Sequence, residues 1–283
     1  MTDRILALVD GSIYSESVCH HAAWAASRLK AGVDLLHVLG RREAPTGDLS
    51  GALRLGARTA LLNELAALDE QRAKLAQARG RAILEDAQAI LEKDGIAPVN
   101  ARLRQGDLLE TVASLEPEVR AIVIGKRGEA ADFASGHLGS NLERVVRSAR
   151  VPVLVASRAF RPISKVLVAF DASASAQRAI DRMTGNPVFQ GLSVTMVHAG
   201  EPSRSLGAQM EEARARLERS GLRVDTGFVP GEPEAALTRR IESDGHDLLV
   251  MGAYGHSRIR SLIIGSTTTA MVQACRIPVL LYR

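Results

Sequence analysis

The chain contains two copies of one sequence unit. RILALVDGSIYSES near the start resembles KVLVAFDASASAQR in the second half, and GVDLLHVLG resembles GLSVTMVHAG, so that His37 aligns with His198. Further along, RLRQGDLLETV resembles DTGFVPGEPEAAL, AIVIGKRG resembles DLLVMGAYG, and ARVPVLVAS resembles CRIPVLLYR. Five matched segments in the same order indicate a duplicated domain. We predict a first domain at 1–156, a linker at 157–164 and a second domain at 165–283.

Within each copy, short apolar runs alternate with longer stretches of helical periodicity. In the first helix Val18, Ala22, Ala25 and Leu29 recur at helical spacing, and Gly95 follows a later helix as a stop signal. This alternation predicts an α/β fold with a parallel sheet covered by helices on both faces. Prolines precede the last apolar run of each copy, at 152 and 278, which predicts a strand near a sheet edge.

The two copies differ by an insertion in the first, at about 41–78. Residues 45–56 are rich in turn-forming types, whereas 57–78 have a helical pattern. We expect an extra surface helix with a loop, and a lid over a binding site is the less favoured alternative.

Composition narrows the class of protein. Of 283 residues 46% are hydrophobic and 24% charged, which is the profile of a globular protein with a core. The net charge is only +4 and aromatic residues make up 3%, so a nucleic-acid partner is not expected. No apolar run is long enough to span a membrane, and no secretory signal pattern is present. Cys19 and Cys275 are expected to be buried thiols, which predicts a reducing, cytoplasmic location.

Several enzyme signatures are absent from the sequence. There is no phosphate-binding GxxxxGK loop, no GxGxxG after the first strand, no GxSxG elbow and no HExxH. His20 and His21 are adjacent, so on a helix they point about 100° apart and do not form a metal-binding pair. No nucleophile with an obvious base is visible, and no catalytic residue is predicted.

One stretch of the second copy carries the pattern of a ligand site. VMGAYGHSRIRSLIIGSTTTAMV leaves a predicted strand at Gly252, and a helix begins near Gly265 and Ser266. Open α/β sheets bind ligands at the carboxyl ends of their strands, and helix N-terminal amides with nearby hydroxyls suit a phosphate. Asp171 follows the first strand of this copy and would accept a hydrogen bond from a ribose hydroxyl across the crevice. Spacing alone fits equally well with turn glycines and a serine that caps a helix.

Gly252, Gly255, Gly265 and Ser266 match the pattern G-x2-G-x9-G followed by Ser or Thr. This pattern resembles the ATP-binding signature of the universal stress protein A family. The Asp after the first strand, the His near the end of the second, the Gly-x-Pro of PGEPEAA and the Pro-Val-Leu of the last strand are similar to it too. The likeness covers both copies, so the chain resembles a tandem universal stress protein.

The resemblance implies two tandem doubly wound five-stranded parallel sheets, each in the order 3-2-1-4-5. It also implies adenine near the ends of the first two strands, with ribose and phosphates on the glycine loop and the helix start. The predicted contacts in the second copy are Asp171, Ala199, Gly252, Gly255, Gly265, Ser266 and Thr268. Gly231 and Pro233 would form a neighbouring wall. His256 and Arg258 lie in the loop and either meet phosphates or remain solvated, whereas Arg260 is expected to be solvated.

The first copy departs from this pattern. Ten residues, instead of nine, separate its second glycine from the helix start, and its loop carries Lys126 and Arg127 together with Glu129 and Asp132. A modified nucleotide site and a degenerate or differently used pocket are both consistent with it, and the second copy is favoured. The corresponding candidate residues are Asp10, Val38, Gly125, Gly128, Gly139 and Ser140, with Gly11 and Gly106 beside them.

The function expected from the resemblance is that of an ATP-binding stress-response or signalling protein, with Mg as a possible companion of the nucleotide and slow or no hydrolysis. One alternative is a weak ATPase that uses Asp171 or His256. Another is an interaction protein whose pockets no longer take nucleotide. The last strands of the copies, VPVLV and IPVLL, are expected to pair and form an internal pseudo-dimer, and a homodimer of the whole chain is a further option.

Overall fold

The computed structural model describes residues 4–40, 55–128, 139–254 and 265–283. The first half of the chain contains β1 (Arg4–Leu8), α1 (Ser15–Leu29), β2 (Gly32–Leu39), α2 (Leu55–Lys93), β3 (Val99–Gln105), α3 (Leu108–Leu115), β4 (Ala121–Gly125), α4 (Ser140–Ser148) and β5 (Val153–Ala156). The second half contains β6 (Lys165–Ala169), α5 (Ala174–Met183), β7 (Ser193–Ala199), α6 (Arg204–Arg219), β8 (Arg223–Val229), α7 (Pro233–Asp244), β9 (Leu248–Gly252), α8 (Ser266–Ala274) and β10 (Val279–Tyr282).

These strands form one sheet of ten, in the order β3-β2-β1-β4-β5-β10-β9-β6-β7-β8. Within each half the neighbouring strands are parallel, and the order is 3-2-1-4-5 in the numbering of that half. The predicted fold class and strand order are therefore confirmed.

The halves meet where β5 and β10 pair antiparallel. Val279 lies opposite Val155, Leu280 opposite Leu154, and Leu281 opposite Val153. Both strands are buried along their whole length. Each last strand thus covers the edge that its own half would otherwise leave exposed.

The prolines before these strands lie near the centre of the sheet, so the expectation of an edge position is wrong for the chain as a whole. Pro152 and Pro278 directly precede β5 and β10. Their carbonyls accept hydrogen bonds from Ile122 and Leu249 at 3.0 Å. A missing amide is tolerated there because it falls at the first position of a strand rather than inside the ladder.

Two apolar layers cover the faces of the sheet, and each has members from both halves. Ile5, Leu154 and Leu280 belong to one layer, whereas Leu6 and Val153 belong to the other. Because successive side chains of a strand point to opposite faces, a strand buried on both sides is apolar throughout. This explains the continuous apolar runs that the sequence shows.

Helix α1 packs on this sheet as its periodicity predicts. Val18, Ala22 and Ala25 are buried, and Leu29 is partly buried against the same core. Lys30 ends the helix in the left-handed conformation, with φ of 53°.

Helix α2 corrects the expectation of a separate inserted helix. It runs without interruption for 39 residues, so the inserted segment extends an existing helix at its N-terminal end. The helix already includes Leu55 and Gly56 of the turn-rich stretch, while 41–54 lie outside the described residues. Gly80 lies inside this continuous helix, and a Cβ there would lie 2.7 Å from Leu103 Cδ1 and 3.0 Å from His37 Cδ2. The glycine lets α2 approach β2 and β3 closely.

Both cysteines are buried and free, as expected. Burial raises the pKa of the Cys19 and Cys275 thiols to about 12. In the described ranges, no helix combines the length and the apolar character that crossing a membrane requires.

His21 is a titratable residue of α1 whose side chain lies in the protein interior. It is fully buried, its Nδ1 lies 2.7 Å from the Ser17 carbonyl oxygen, and its ring meets Phe160 edge-on at 5.0 Å between centroids. Its Nε2 has no hydrogen-bond partner within the described part of the chain. Burial lowers the pKa of His21 from 6.5 to about 4. The folded state therefore favours the neutral ring.

We expect acid to destabilise the protein partly through His21. The contribution of His21 to the free energy of unfolding is fully present above pH 6.5. It is lost as the pH falls toward 4, because the unfolded chain binds the proton at a higher pH than the folded chain does. At about 1.4 kcal/mol per pH unit, wild type should lose about 2 kcal/mol more than His21→Leu between pH 7.5 and pH 5. Urea unfolding of both proteins at the two pH values measures this difference. Equal losses would contradict it.

Candidate functional site

A cavity of about 350 Å³ lies at the carboxyl ends of the second-half strands, beside the start of α8. Strand ends β6, β7 and β9 provide one wall, and α7 and α8 provide the other. Its lining residues are Ala169, Phe170, Asp171, Val197, His198, Ala199, Pro233, Leu237, Met251, Gly252, Gly265, Ser266, Thr267 and Thr268. This is the place where open α/β sheets bind ligands.

The structure brings together most of the residues predicted for this site. Asp171, Ala199, Gly252, Gly265, Ser266 and Thr268 all line the cavity. Gly255, His256, Arg258 and Arg260 lie outside the described residues. Of the predicted neighbouring wall, Pro233 lines the cavity, whereas Gly231 forms the preceding turn with φ of 108°.

The first turn of α8 presents backbone donors to the cavity. Gly265 is the N-cap residue, and its own amide donates to the Ala253 carbonyl at 3.2 Å. Ser266 and Thr267 follow and are exposed. The first amides of a helix have no intrahelical partner, and this turn contains no acidic residue. The turn therefore favours an anion.

Thr268 has a role that the sequence did not indicate. Its side chain is buried, and its hydroxyl donates to the Gly252 carbonyl at 3.1 Å. The hydroxyl thus joins the start of α8 to the end of β9. A contribution of Thr268 to a ligand would come from its backbone amide.

Asp171 organises the turn that follows β6. Its carboxylate accepts the Ser173 amide at 2.9 Å, and the Ser173 hydroxyl accepts the Ala176 amide at 3.3 Å to cap α5. Between them, Ala172 adopts a left-handed conformation with φ of 58°. In the first half Asp10 accepts the Ser12 amide at 3.0 Å, so both copies hold this turn in the same way.

A histidine at the end of the second strand lines the cavity in each half. Nδ1 of His198 lies 2.9 Å from the Phe170 carbonyl oxygen, and Nδ1 of His37 lies 2.8 Å from that of Val9. Because a carbonyl only accepts, Nδ1 carries the proton and Nε2 is left as an acceptor in the neutral ring. The alignment of His37 with His198 between the two copies pointed to this pair in the sequence, but it did not indicate what the side chains contact.

The first-half cavity is larger, about 680 Å³. All six candidate residues of that copy line it, namely Asp10, Val38, Gly125, Gly128, Gly139 and Ser140. Residues that the sequence did not single out also line it, among them Tyr14, Asp107, Asn141 and Arg144.

Charge distinguishes the two cavities. In the first half, Arg144 donates to Asp107 at 2.9 Å, and the guanidinium holds the pKa of that carboxyl below its usual value. The first turn of α4 contains Glu143, whereas the first turn of α8 has no acidic residue. The start of α8 therefore favours an anion more than the start of α4 does.

The two cations of the first-half loop point in different directions. Arg127 lines the first cavity. Lys126 donates from Nζ to the carbonyls of Gln273 and Cys275 in the second half. The positive charge of Lys126 therefore lies at the end of a second-half helix.

The glycines at the strand ends also serve packing. A Cβ on Gly252 would lie 2.9 Å from Ser175 Cβ and 3.0 Å from the Ala176 amide nitrogen. A Cβ on Gly125 would lie 2.8 Å from Tyr14 Cβ. In each half this glycine lets the start of the first helix lie close to the fourth strand.

Comparison with models of known protein families gives a match for each half of the chain. Residues 1–157 and 162–283 each match the model of the Universal stress protein family. The chain belongs to the universal stress protein family. As the resemblance predicted, the family match occurs twice in the chain.

Relatives of this universal stress protein include chains of nearly the same length. Universal stress protein Slr1230 of Synechocystis is 37% identical over 285 residues, which cover 99% of each chain. A crystal structure of a universal stress protein from Archaeoglobus fulgidus is 18% identical, covers 100% of this chain and 97% of that one, and has a TM-score of 0.73. A universal stress protein crystallised in complex with cAMP is 27% identical over 44% of this chain and 98% of its own, with a TM-score of 0.38.

The left-handed turn beside each cavity gives a paired prediction. Ala172→Gly should raise the free energy of unfolding by about 0.5–1 kcal/mol, because glycine relieves the cost of φ near +58°. Gly11→Ala should lower it by about 1–2 kcal/mol, since φ is +77° and the new Cβ would lie 2.7 Å from Ile83 Cδ1. Chemical denaturation measures both variants. Changes of the same sign would contradict this account of the turn.

Proposed function

We propose that this universal stress protein binds an adenine nucleotide, ATP foremost, chiefly through its second-half cavity, and acts in stress response or signalling. One observation carries the proposal: the anion-favouring first turn of α8 opens into the same cavity as the carboxylate of Asp171 and the apolar ends of β6 and β7. A nucleotide needs these three chemistries side by side.

The lining divides into places for the three parts of a nucleotide. Phosphates would lie at the amides of Ser266, Thr267 and Thr268. Asp171 would accept a hydrogen bond from a ribose hydroxyl. The adenine would pack against the apolar strand ends near Val197 and Ala199, where His198 offers an acceptor nitrogen. A volume of about 350 Å³ lies within the usual range of small-molecule pockets.

The residues fit Mg²⁺ as a companion of the phosphates rather than as a resident ion. The described ranges contain no group of three or more His, Cys, Asp or Glu that would hold a metal. Mg²⁺ is commonly bound through one or two carboxylates, phosphates and water. It would therefore enter this cavity with ATP and neutralise part of the phosphate charge.

One feature supports binding with slow or no hydrolysis. Of the two candidate bases, Asp171 accepts the Ser173 amide and so holds a turn, and His256 lies outside the described residues. A carboxylate that holds a turn favours a binding role over proton transfer. We also propose a cytoplasmic location, which the two free thiols support.

Calorimetric titration of the intact chain with Mg-ATP tests the proposal. Ser266→Asp should weaken binding at least tenfold, because a carboxylate at the helix start repels phosphate while it suits the helix dipole. Ser140→Asp is the matched control, since Ser140 is likewise exposed and begins the equivalent helix of the first half. It should change the affinity little.

The outcomes separate the two cavities. A loss with Ser140→Asp and none with Ser266→Asp would move the nucleotide to the first half. No binding of ATP, ADP, AMP or cAMP by wild type would overturn the proposed function. Thermal unfolding of each variant verifies that the helix start is intact.

We further propose that the halves form an internal pseudo-dimer. The antiparallel pairing of β5 with β10 and the two apolar layers shared by the halves support it. Residues 1–160 and 161–283, expressed separately and mixed, should associate one to one, because each alone exposes an unpaired strand edge. Analytical ultracentrifugation measures this. Halves that stay monomeric after mixing would argue against the pseudo-dimer.

A further inference from the structure

One loop of the first-half cavity also reaches the second half. Gly125, Arg127 and Gly128 line the first cavity. Lys126, which lies between Gly125 and Arg127, donates from its ammonium to the carbonyls of Gln273 and Cys275, the latter at 3.0 Å. These carbonyls lie at the C-terminal end of α8. A single stretch of four residues therefore touches the first cavity and the end of a second-half helix.

The other end of α8 is the first turn that lines the second cavity. The helix has nine residues and is about 13 Å long, and one run of backbone hydrogen bonds joins its two ends. A cation at a helix C-terminus satisfies the last carbonyls and interacts favourably with the dipole. Burial lowers the pKa of Lys126, which reflects how far its ammonium is withdrawn from water toward these carbonyls. Lys126 thus fixes the end of α8 that lies opposite the cavity.

A corresponding contact runs in the opposite direction. Tyr254 follows Gly252, which lines the second cavity, and its hydroxyl donates to the Arg147 carbonyl at 3.3 Å. Arg283 lies over the Tyr254 ring and donates to the Ser148 carbonyl at 3.4 Å. These carbonyls end α4, whose first residue, Ser140, lines the first cavity. Each strand-end loop therefore holds the helix that forms the other cavity.

We propose that the two cavities are cross-connected, with Lys126 as a positioning residue for the α8 turn of the second cavity and Tyr254 as its counterpart for α4. The nature of the ligand rests on the proposed function. A ligand that shifts residues 125–128 changes the affinity of the second cavity, and by linkage the reverse effect has the same factor. Lys126 carries the larger share, because a charged donor makes a hydrogen bond roughly twice as strong as a neutral one.

Titration of the intact chain with Mg-ATP tests the role of Lys126. Lys126→Met should weaken binding at the second cavity about fivefold, the lower end of common coupling effects. Lys126→Arg should restore most of the affinity, because a guanidinium also donates to carbonyls. Arg28→Met is the matched control and should bind as wild type.

Arg28 is a suitable control because it also joins the two halves through a cation. It is a first-half cation that donates to two second-half carbonyls, that of Val188 at 2.6 Å and that of Gln190. None of these three residues lines either cavity. A loss of affinity caused merely by weakening the junction between halves would appear in both variants.

Hydrogen exchange in nucleotide-free protein gives a second readout. In Lys126→Met the amides of α8 should exchange faster than in wild type, whereas those of α6 should not change. In Arg28→Met the amides of α8 should keep their wild-type rates.

The results distinguish the proposal from the function on which it rests. Unchanged affinity and unchanged α8 exchange in Lys126→Met, or equal weakening in Arg28→Met, would overturn the cross-connection. Wild type that binds no nucleotide would overturn the proposed function. Exchange in α8 then decides alone: faster exchange confined to Lys126→Met supports the cross-connection, and unchanged exchange refutes it.

Discussion

The antiparallel pairing of β5 with β10 is the interaction on which the rest of the molecule depends. A five-stranded parallel sheet ends in a row of unpaired amides and carbonyls, and such an edge favours uncontrolled association. Here each half uses the last strand of the other as its cover, over the register from Val153–Leu281 to Val155–Val279. Because the sheet continues through this pair, the two apolar layers continue as well. The strand ends that carry both cavities are thereby held in one continuous frame.

Close approach of backbone to side chain shapes each cavity on this frame. Gly252 and Gly125 leave room for the first residues of α5 and α1, and the Asp171 and Asp10 carboxylates hold the turns before these helices. The helix starts at Gly265 and Gly139 then face these turns across the cavities. The glycines therefore have a packing role whether or not a phosphate binds beside them. Spacing alone fitted turn glycines and a phosphate site equally well, and in the structure the same glycines are compatible with both roles.

Much of this architecture could be predicted because it follows from repeated local patterns. The duplicated segments fixed the number of domains, and the apolar runs fixed the strands, since burial on both faces leaves no polar position. The predicted second-half contacts within the described ranges, apart from the wall residue Gly231, meet at one cavity because the carboxyl ends of parallel strands share an edge. Spacing could not show that the Thr268 hydroxyl turns inward to Gly252, nor that Lys126 leaves its own loop for α8, because both depend on contacts distant in sequence. The inserted segment was expected to form a separate helix, whereas it continues the helix that ends at Lys93. The close approach of α2 to β2 and β3 at Gly80 is likewise a contact distant in sequence.

Joining the two copies in one chain removes a restriction that identical subunits would face. A symmetric pair of separate chains carries the same pocket twice, so any change that improves one site is imposed on the other. In this chain Leu142 stands where the second copy has Thr268, and Glu143 where it has Thr269. Each pocket is free to acquire its own chemistry while the shared strand pair keeps the assembly unchanged. Fusion thus turns one duplicated unit into two whose cavities selection can tune independently.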